Sequence, residues 1–77
     1  MKYFSYKIAD NEIKAFEGEV QSIPKDYIEL QSGLGTESIY YKIKDGIVTD
    51  VIAEAFTEPT ARRRVDEFTS GLNVSLV

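Results

Sequence analysis

Two apolar, alternating runs between Glu37 and Phe56 are joined by Lys44-Asp45-Gly46, and this stretch constrains the fold more than any other. Asp-Gly between such runs is a strong signal for a β-hairpin. It fits either a two-residue type I′ turn or a three-residue loop that closes on a glycine bulge. The two alternatives differ by one residue in register, which sends the side chains of one strand to the opposite face.

The cost of burying charge decides between these registers. With a two-residue turn, Ile43 lies opposite Val48, and Asp50 and Glu54 then fall on the apolar face. With a three-residue loop, Ile43 faces Ile47, and both carboxylates fall on the other face. An unpaired buried charge costs several kcal/mol, more than the difference between turn types, so we predict the three-residue loop. The pairs that it implies farther along are Tyr41 with Thr49, Ile39 with Val51 and Glu37 with Ala53.

The outer face of this hairpin, away from the expected core, is only half polar. Apolar and aromatic anchors inside a polar rim are typical of protein interfaces. A loop folded over the face would explain the same residues. A domain this small gains stability from extra buried surface, however, and this favours association. The candidate protein-interaction residues are Tyr3, Tyr40, Val48, Asp50, Ile52 and Phe56.

Alternation predicts two strands before the hairpin. Lys2–Ala9 has the pattern of a half-buried strand, and Asp10-Asn11 is a turn pair that leads into Glu12–Val20. The second strand changes phase along its length, so we predict a bulge near Ala15 or Gly18.

After Phe56 the apolar period changes from two to nearly four, which predicts a helix. Thr57 can cap this helix, and Ser70-Gly71 is a common helix stop. Leu72–Val77 alternates again and predicts a last strand, reached by a right-handed crossover that lays the helix over the sheet. The apolar stripe of the helix consists of Ala61, Val65 and Phe68.

The length of 77 residues suits one domain, residues 1–77. Residues 24–32 fit a strand or a short helix, because Pro24 and Gly33 could bracket a helix whereas alternation from Tyr27 to Gln31 favours a strand. We therefore predict an α+β fold: a single small domain with a mainly antiparallel β-sheet of four to six strands. One helix from the C-terminal half packs on one face of it.

Composition excludes several kinds of site. The chain has no cysteine and no histidine, which excludes disulfides and metal sites built on thiolate or imidazole. Carboxylates alone could hold magnesium or calcium, but no Asp-rich stretch has the spacing of an EF-hand loop, and we expect neither a metal nor a cofactor. Thirteen acidic against nine basic residues give a net charge of −4, which repels nucleic acid and anionic membranes. The start lacks the apolar core of a signal peptide and no run is long enough to span a membrane, which predicts a cytoplasmic protein.

No pattern indicates catalysis. Glu17 and Glu19 share one strand face and Asp50 has apolar neighbours, but alternating glutamates usually form the solvated side of a strand, and no nucleophile motif accompanies them. Gly33-Leu34-Gly35 lacks the third glycine and the lysine of phosphate-binding loops. We therefore predict that the protein is not an enzyme.

Basic residues form two patterns. Arg62-Arg63-Arg64 is expected to be neutralised by carboxylates four residues away on the same helix. Tyr40 with Lys42 and Lys44 interleaves an aromatic ring with cations, as in surfaces that bind single-stranded nucleic acid. The overall acidity of the chain disfavours that partner.

These observations predict a non-enzymatic protein-interaction or regulatory module that acts through the half-apolar sheet face, as a homodimer or on a larger protein. In one variant the protein is an acidic inhibitor whose carboxylates imitate phosphates and occupy a basic nucleic-acid-binding protein. The alternative is weak single-stranded nucleic-acid binding through Tyr40, Lys42 and Lys44. The carboxylates of the inhibitor variant are Glu12, Glu17, Glu19 and Asp26.

Overall fold

The computed structural model describes residues 2–31 and 38–75, which form one antiparallel sheet and one helix. The sheet has five strands in the order β2-β1-β5-β4-β3. This arrangement confirms the predicted α+β class with a helix in the C-terminal half. The elements are β1 (Lys2–Ala9), β2 (Glu12–Val20), β3 (Ile28–Gln31), β4 (Ser38–Lys44), β5 (Ile47–Ala55) and α1 (Glu58–Ser75).

The β4–β5 hairpin closes with a two-residue turn, so the predicted three-residue loop is wrong. Asp45 and Gly46 have φ angles of 55° and 78°, the left-handed values that a type I′ turn requires. Ile43 consequently pairs with Val48 rather than with Ile47. Val48 lies in the core at 7% exposure, so its predicted place on the outer face is also wrong.

A bulge inside β5 sends the side chains beyond it to the opposite faces from those that an unbroken two-residue-turn register would give. Lys42 pairs with Asp50, whereas the next pair toward the turn begins at Val48, so Thr49 is an extra residue in β5. Asp50 and Glu54 therefore stay off the helix side of the sheet, as the cost of burying charge requires. The extra residue lies in the strand and not in the turn. The pairs beyond the bulge are Tyr41 with Val51, Tyr40 with Ile52 and Ile39 with Ala53.

The β1–β2 hairpin turns at Asp10 and Asn11, whose φ angles are 55° and 58°. Its register shifts twice, which leaves Lys14 and Glu17 as extra residues in β2. These shifts confirm the irregularity that was predicted for this strand. They also bring Phe16 opposite the β1 side chains that face the helix.

The core lies between the sheet and α1. Alternate residues of β1, β4 and β5 contribute to it, together with one stripe of the helix, as period-two strands and a period-3.6 helix require. Its buried members are Phe4, Tyr6, Ile8, Ile39, Val48, Val51, Ala53, Ala55, Ala61 and Val65.

Helix α1 begins where the sequence predicts and ends later. The carbonyl of Thr57 accepts a hydrogen bond from the Ala61 amide at 3.1 Å, which closes the first turn. The helix continues past Gly71 to Ser75, so the predicted stop and the strand predicted from Leu72 are wrong; residues 76 and 77 lie outside the described part. A helical glycine costs about 1 kcal/mol, and the packing of Leu72 against the core offsets this cost.

The connection from β2 to β3, residues 21–27, crosses the sheet and is called the strap here. β2 and β3 are the two edge strands, four strand spacings or about 19 Å apart. Since α1 occupies one face, the strap crosses the other. Its Asp26 Oδ2 lies 3.2 Å from the Nζ of Lys42, and its Tyr27 is hydrogen-bonded to the Ser5 side chain. Beyond the strap, residues 28–31 form a strand, the alternative that alternation favours.

Candidate functional site

The face under the strap holds four of the six residues that the sequence assigned to an interface. Tyr3 lies opposite Glu54 and Tyr40 lies opposite Ile52, so all of them project to this side. The Tyr3 and Tyr40 rings meet edge to face with centroids 6.2 Å apart. Asp50 shares this face. Val48 lies in the core instead, and Phe56, which is 70% exposed, follows the end of β5.

The strap reaches the centre of that face, since Tyr27 is hydrogen-bonded to Ser5, which pairs with Ile52. Ile52 is only 1% exposed, although it points away from α1. Burial, followed by the charges of Asp50, Asp26 and Glu17, raises the pKa of Tyr27 in the strap. The strap contacts Lys42 and Ser5 on this face, which agrees with the alternative that a loop folds over part of it.

Asp50 is held by two polar neighbours. Lys7 Nζ lies 3.1 Å from its Oδ1, and Thr49 Oγ1 donates a hydrogen bond to its Oδ2 at 2.8 Å. Both contacts satisfy oxygens of a carboxylate whose side chain is only 13% exposed.

The surroundings of Tyr40 are acidic rather than basic. Burial, followed by the charges of Glu29 and Glu54, raises the pKa of Tyr40, and the Ser38 hydroxyl opposes this shift. Lys42, the nearest predicted cation, is paired with Asp26 of the strap. The ring is thus packed on Tyr3 among carboxylates, which is a poor platform for stacking a nucleotide base.

The helix side of the sheet is open at its β3 edge. Ile28, Leu30 and Ile43 are 47%, 42% and 44% exposed. Ile28 pairs with Tyr41 and Leu30 with Ile39, so these side chains project to the same side as the core residues of β4. We call Ile28, Leu30 and Ile43 the shelf.

Two aromatic rings border the shelf. The rings of Tyr41 and Phe68 lie 5.4 Å apart, with their planes tilted by 37°. A helix with its side chains is about 10 Å wide, enough to cover roughly two strands of a sheet whose spacing is about 4.8 Å. Among the described residues one helix lies over five strands, and the β3 side chains beyond Phe68 are exposed.

Sequence reasoning missed the shelf because it treated every residue on the apolar side of the hairpin as core. The available signal was the ratio of strands to helices. A sheet of four to six strands with one helix has more apolar surface on its helix side than the helix can cover. Alternation alone assigns Ile28 and Leu30 to no particular surface, because residues 24–32 also fit a short helix.

Other charged groups are dispersed over the molecule. Glu17 is the extra residue of a bulge, and Glu19 lies 3.8 Å from the Nζ of Lys2. In the part of the chain that the structure describes, no three carboxylates come together as a metal site, and neither Arg62 nor Arg63 has a carboxylate within 4.0 Å. The intrahelical pairs predicted for these two arginines therefore do not form at that distance.

Comparison of the chain with protein-family models, with curated proteins and with solved structures finds no match. Within residues 2–31 and 38–75, no helix is long and apolar enough to cross a membrane.

Proposed function

We propose that this protein is a non-enzymatic protein-binding module and that its contact surface is the shelf. The observation that carries the proposal is the exposure of three large aliphatic side chains, Ile28, Leu30 and Ile43, side by side on the uncovered half of the sheet. Covering the exposed half of each gains about 1 kcal/mol, or about 3 kcal/mol together. Burial on this scale is typical of the apolar centre of an interface.

This proposal keeps the class of function that the sequence predicts and changes the surface. The half-apolar face that the sequence indicates offers less apolar surface, since Ile52 at its centre is 1% exposed and the strap contacts Lys42 beside it. The acidic, cysteine-free composition is compatible with action in the cytoplasm.

Two isoleucines at the tip of the same hairpin test the proposal. Ile43 is on the shelf, whereas Ile47 pairs with Lys44, faces the other side and is 57% exposed. We expect Ile43→Asp to lower capture of a partner from an extract of the source cells by about tenfold, because the charge must be desolvated in the contact. Ile47→Asp should leave capture unchanged.

Quantitative affinity capture with both variants measures the contrast, and urea unfolding shows whether both remain folded. Equal capture by the two folded variants would mean that the shelf is not the contact surface.

A further inference from the structure

We propose that the free edge of β3 binds an extended segment of a partner protein as a sixth strand, and that this segment alternates apolar and basic side chains. The inference rests on the proposed function, because the apolar side chains of the segment would lie on the shelf. It adds the backbone conformation and the charge of the partner.

The two edges of the sheet differ in how well they can accept another strand. β2 is broken by two bulges at Lys14 and Glu17, and such irregularities with exposed charges block strand addition. β3 pairs with β4 in unbroken register from Ile28 to Gln31. Alternate residues of a regular edge strand point their N–H and C=O groups outward, ready to pair.

The side chains of β3 specify what such a segment must carry on its helix side. Ile28 and Leu30 are on the shelf, and a residue on a neighbouring strand places its Cβ about 5 Å from the Cβ opposite. Apolar residues at alternate positions of the segment would cover both side chains and reach toward Ile43. An added strand would therefore bury Ile28 and Leu30, the β3 part of the shelf, without any change in the sheet.

The other side of β3 is negative. Glu29 Oε2 accepts a hydrogen bond from Ser38 Oγ at 3.1 Å, and Glu54 Oε1 accepts one from the Ser38 amide at 3.4 Å. Across the described ranges, no lysine or arginine lies within 4.0 Å of either carboxylate. A lysine or arginine opposite Glu29 would reach it, so basic residues fit the alternate positions of the segment.

Charge also decides between a foreign segment and a second copy of this chain. Two copies would each bring a net charge of −4, and antiparallel pairing of β3 with itself would bring the two Glu29 carboxylates close together. Like charges near each other on paired strands destabilise a sheet. A basic partner is instead attracted by the negative charge of this chain.

The test uses the full chain and three synthetic peptides of about eight residues, long enough to cover a short strand. One alternates valine and lysine, one alternates valine and glutamate, and one has the composition of the first with its valines and lysines in separate blocks. Amide hydrogen exchange and NMR chemical shifts report where each peptide binds.

We expect the valine-lysine peptide to slow exchange of outward-pointing amides within Ile28–Gln31 and to bind about tenfold more tightly than the valine-glutamate peptide. Glu29→Lys should reverse this preference, because it reverses the charge beside the added strand. The matched control Glu17→Lys, on the β2 edge, should retain it.

Four results would overturn the inference: no protection in β3 with any peptide, protection in β2 instead, equal binding of the block peptide, or protection of β3 that grows with protein concentration in the absence of peptide. The last result would identify a second copy as the occupant.

Failure here is separable from failure of the proposed function. If Ile43→Asp loses the captured partner, Ile47→Asp keeps it and β3 amides do not respond to peptides, the shelf binds proteins but not by strand addition. If the two variants capture equally, the shelf itself is refuted.

Discussion

Tyr6 links the sheet to the helix at the scale of a single residue. Its side chain is 0% exposed, and its hydroxyl donates to Glu58 Oε2 at 2.5 Å, with the Glu58 carbonyl oxygen at 3.3 Å. A buried hydroxyl needs such an acceptor. Glu58 is the first residue of α1, where the positive end of the helix dipole also stabilises a carboxylate. One contact therefore satisfies the core and positions the start of the helix.

This contact predicts a pH dependence of stability. Burial first, and then the hydrogen bond to Glu58, raise the pKa of Tyr6 above its ordinary value of 10.0. The unfolded chain releases this proton near pH 10 while the folded chain retains it, so the contribution is present below pH 10 and is lost as pH rises further. Tyr6→Phe should lose about 1 to 2 kcal/mol of unfolding free energy at neutral pH.

Urea unfolding of both proteins from pH 7 to 11 measures this difference. Burial also raises the pKa values of Tyr27 and Tyr40, so both proteins should lose stability at high pH. The wild type should lose more. Parallel curves would contradict the role given to Tyr6.

At the scale of the element, local rules located the strands and the start of the helix, while non-local pairing decided the rest. Period-two alternation is a property of a few neighbouring residues, and so is the capping position of Thr57. The position of Thr49 as the extra residue depends on how β5 aligns with β4 along its whole length. The charge argument correctly required Asp50 to leave the apolar face, but it could not tell whether the turn or the strand would supply the extra residue.

A substitution at Gly71 tests whether the helix continues as the structure shows. Its φ is not among the positive values, and a Cβ added there meets nothing within 4 Å. We expect Gly71→Ala to raise the free energy of unfolding by about 0.5 to 1 kcal/mol, because alanine restricts the unfolded chain and favours the helix. A glycine that ended the helix in a left-handed conformation would give the opposite sign.

Gly46→Ala is the matched control for this measurement. Gly46 has a φ of 78° and the same open surroundings, so alanine should lower the free energy of unfolding by about 1 kcal/mol through backbone strain alone. Thermal or urea unfolding of both variants gives the two signs. Destabilisation by both substitutions would restore the helix stop that the sequence predicts.

At the scale of the whole molecule, the two faces of the sheet are closed by different amounts of chain. Helix α1 packs on one face and leaves the shelf exposed, and the strap crosses the other. The strap follows from strand order, because pairing β1 with β5 places β2 and β3 at opposite edges. No local pattern encodes that order, and for this reason the sequence identified the half-apolar residues but not which of them would be covered.

Substitutions of Ile52 and Ile43 test this difference between the two faces, since the two residues belong to the same hairpin and are 1% and 44% exposed. Ile52→Ala should lower the free energy of unfolding by about 2 to 4 kcal/mol, because it leaves a cavity under the strap. This is a large part of the roughly 4 to 12 kcal/mol expected in total for a domain of this length. Ile43→Ala should cost about 1 kcal/mol or less, because its side chain is already half in water. Urea midpoints at an unchanged slope give both values. Similar small losses for the two variants would mean that the strap does not cover Ile52 in solution, and the interface would then move back to the face that the sequence first indicated.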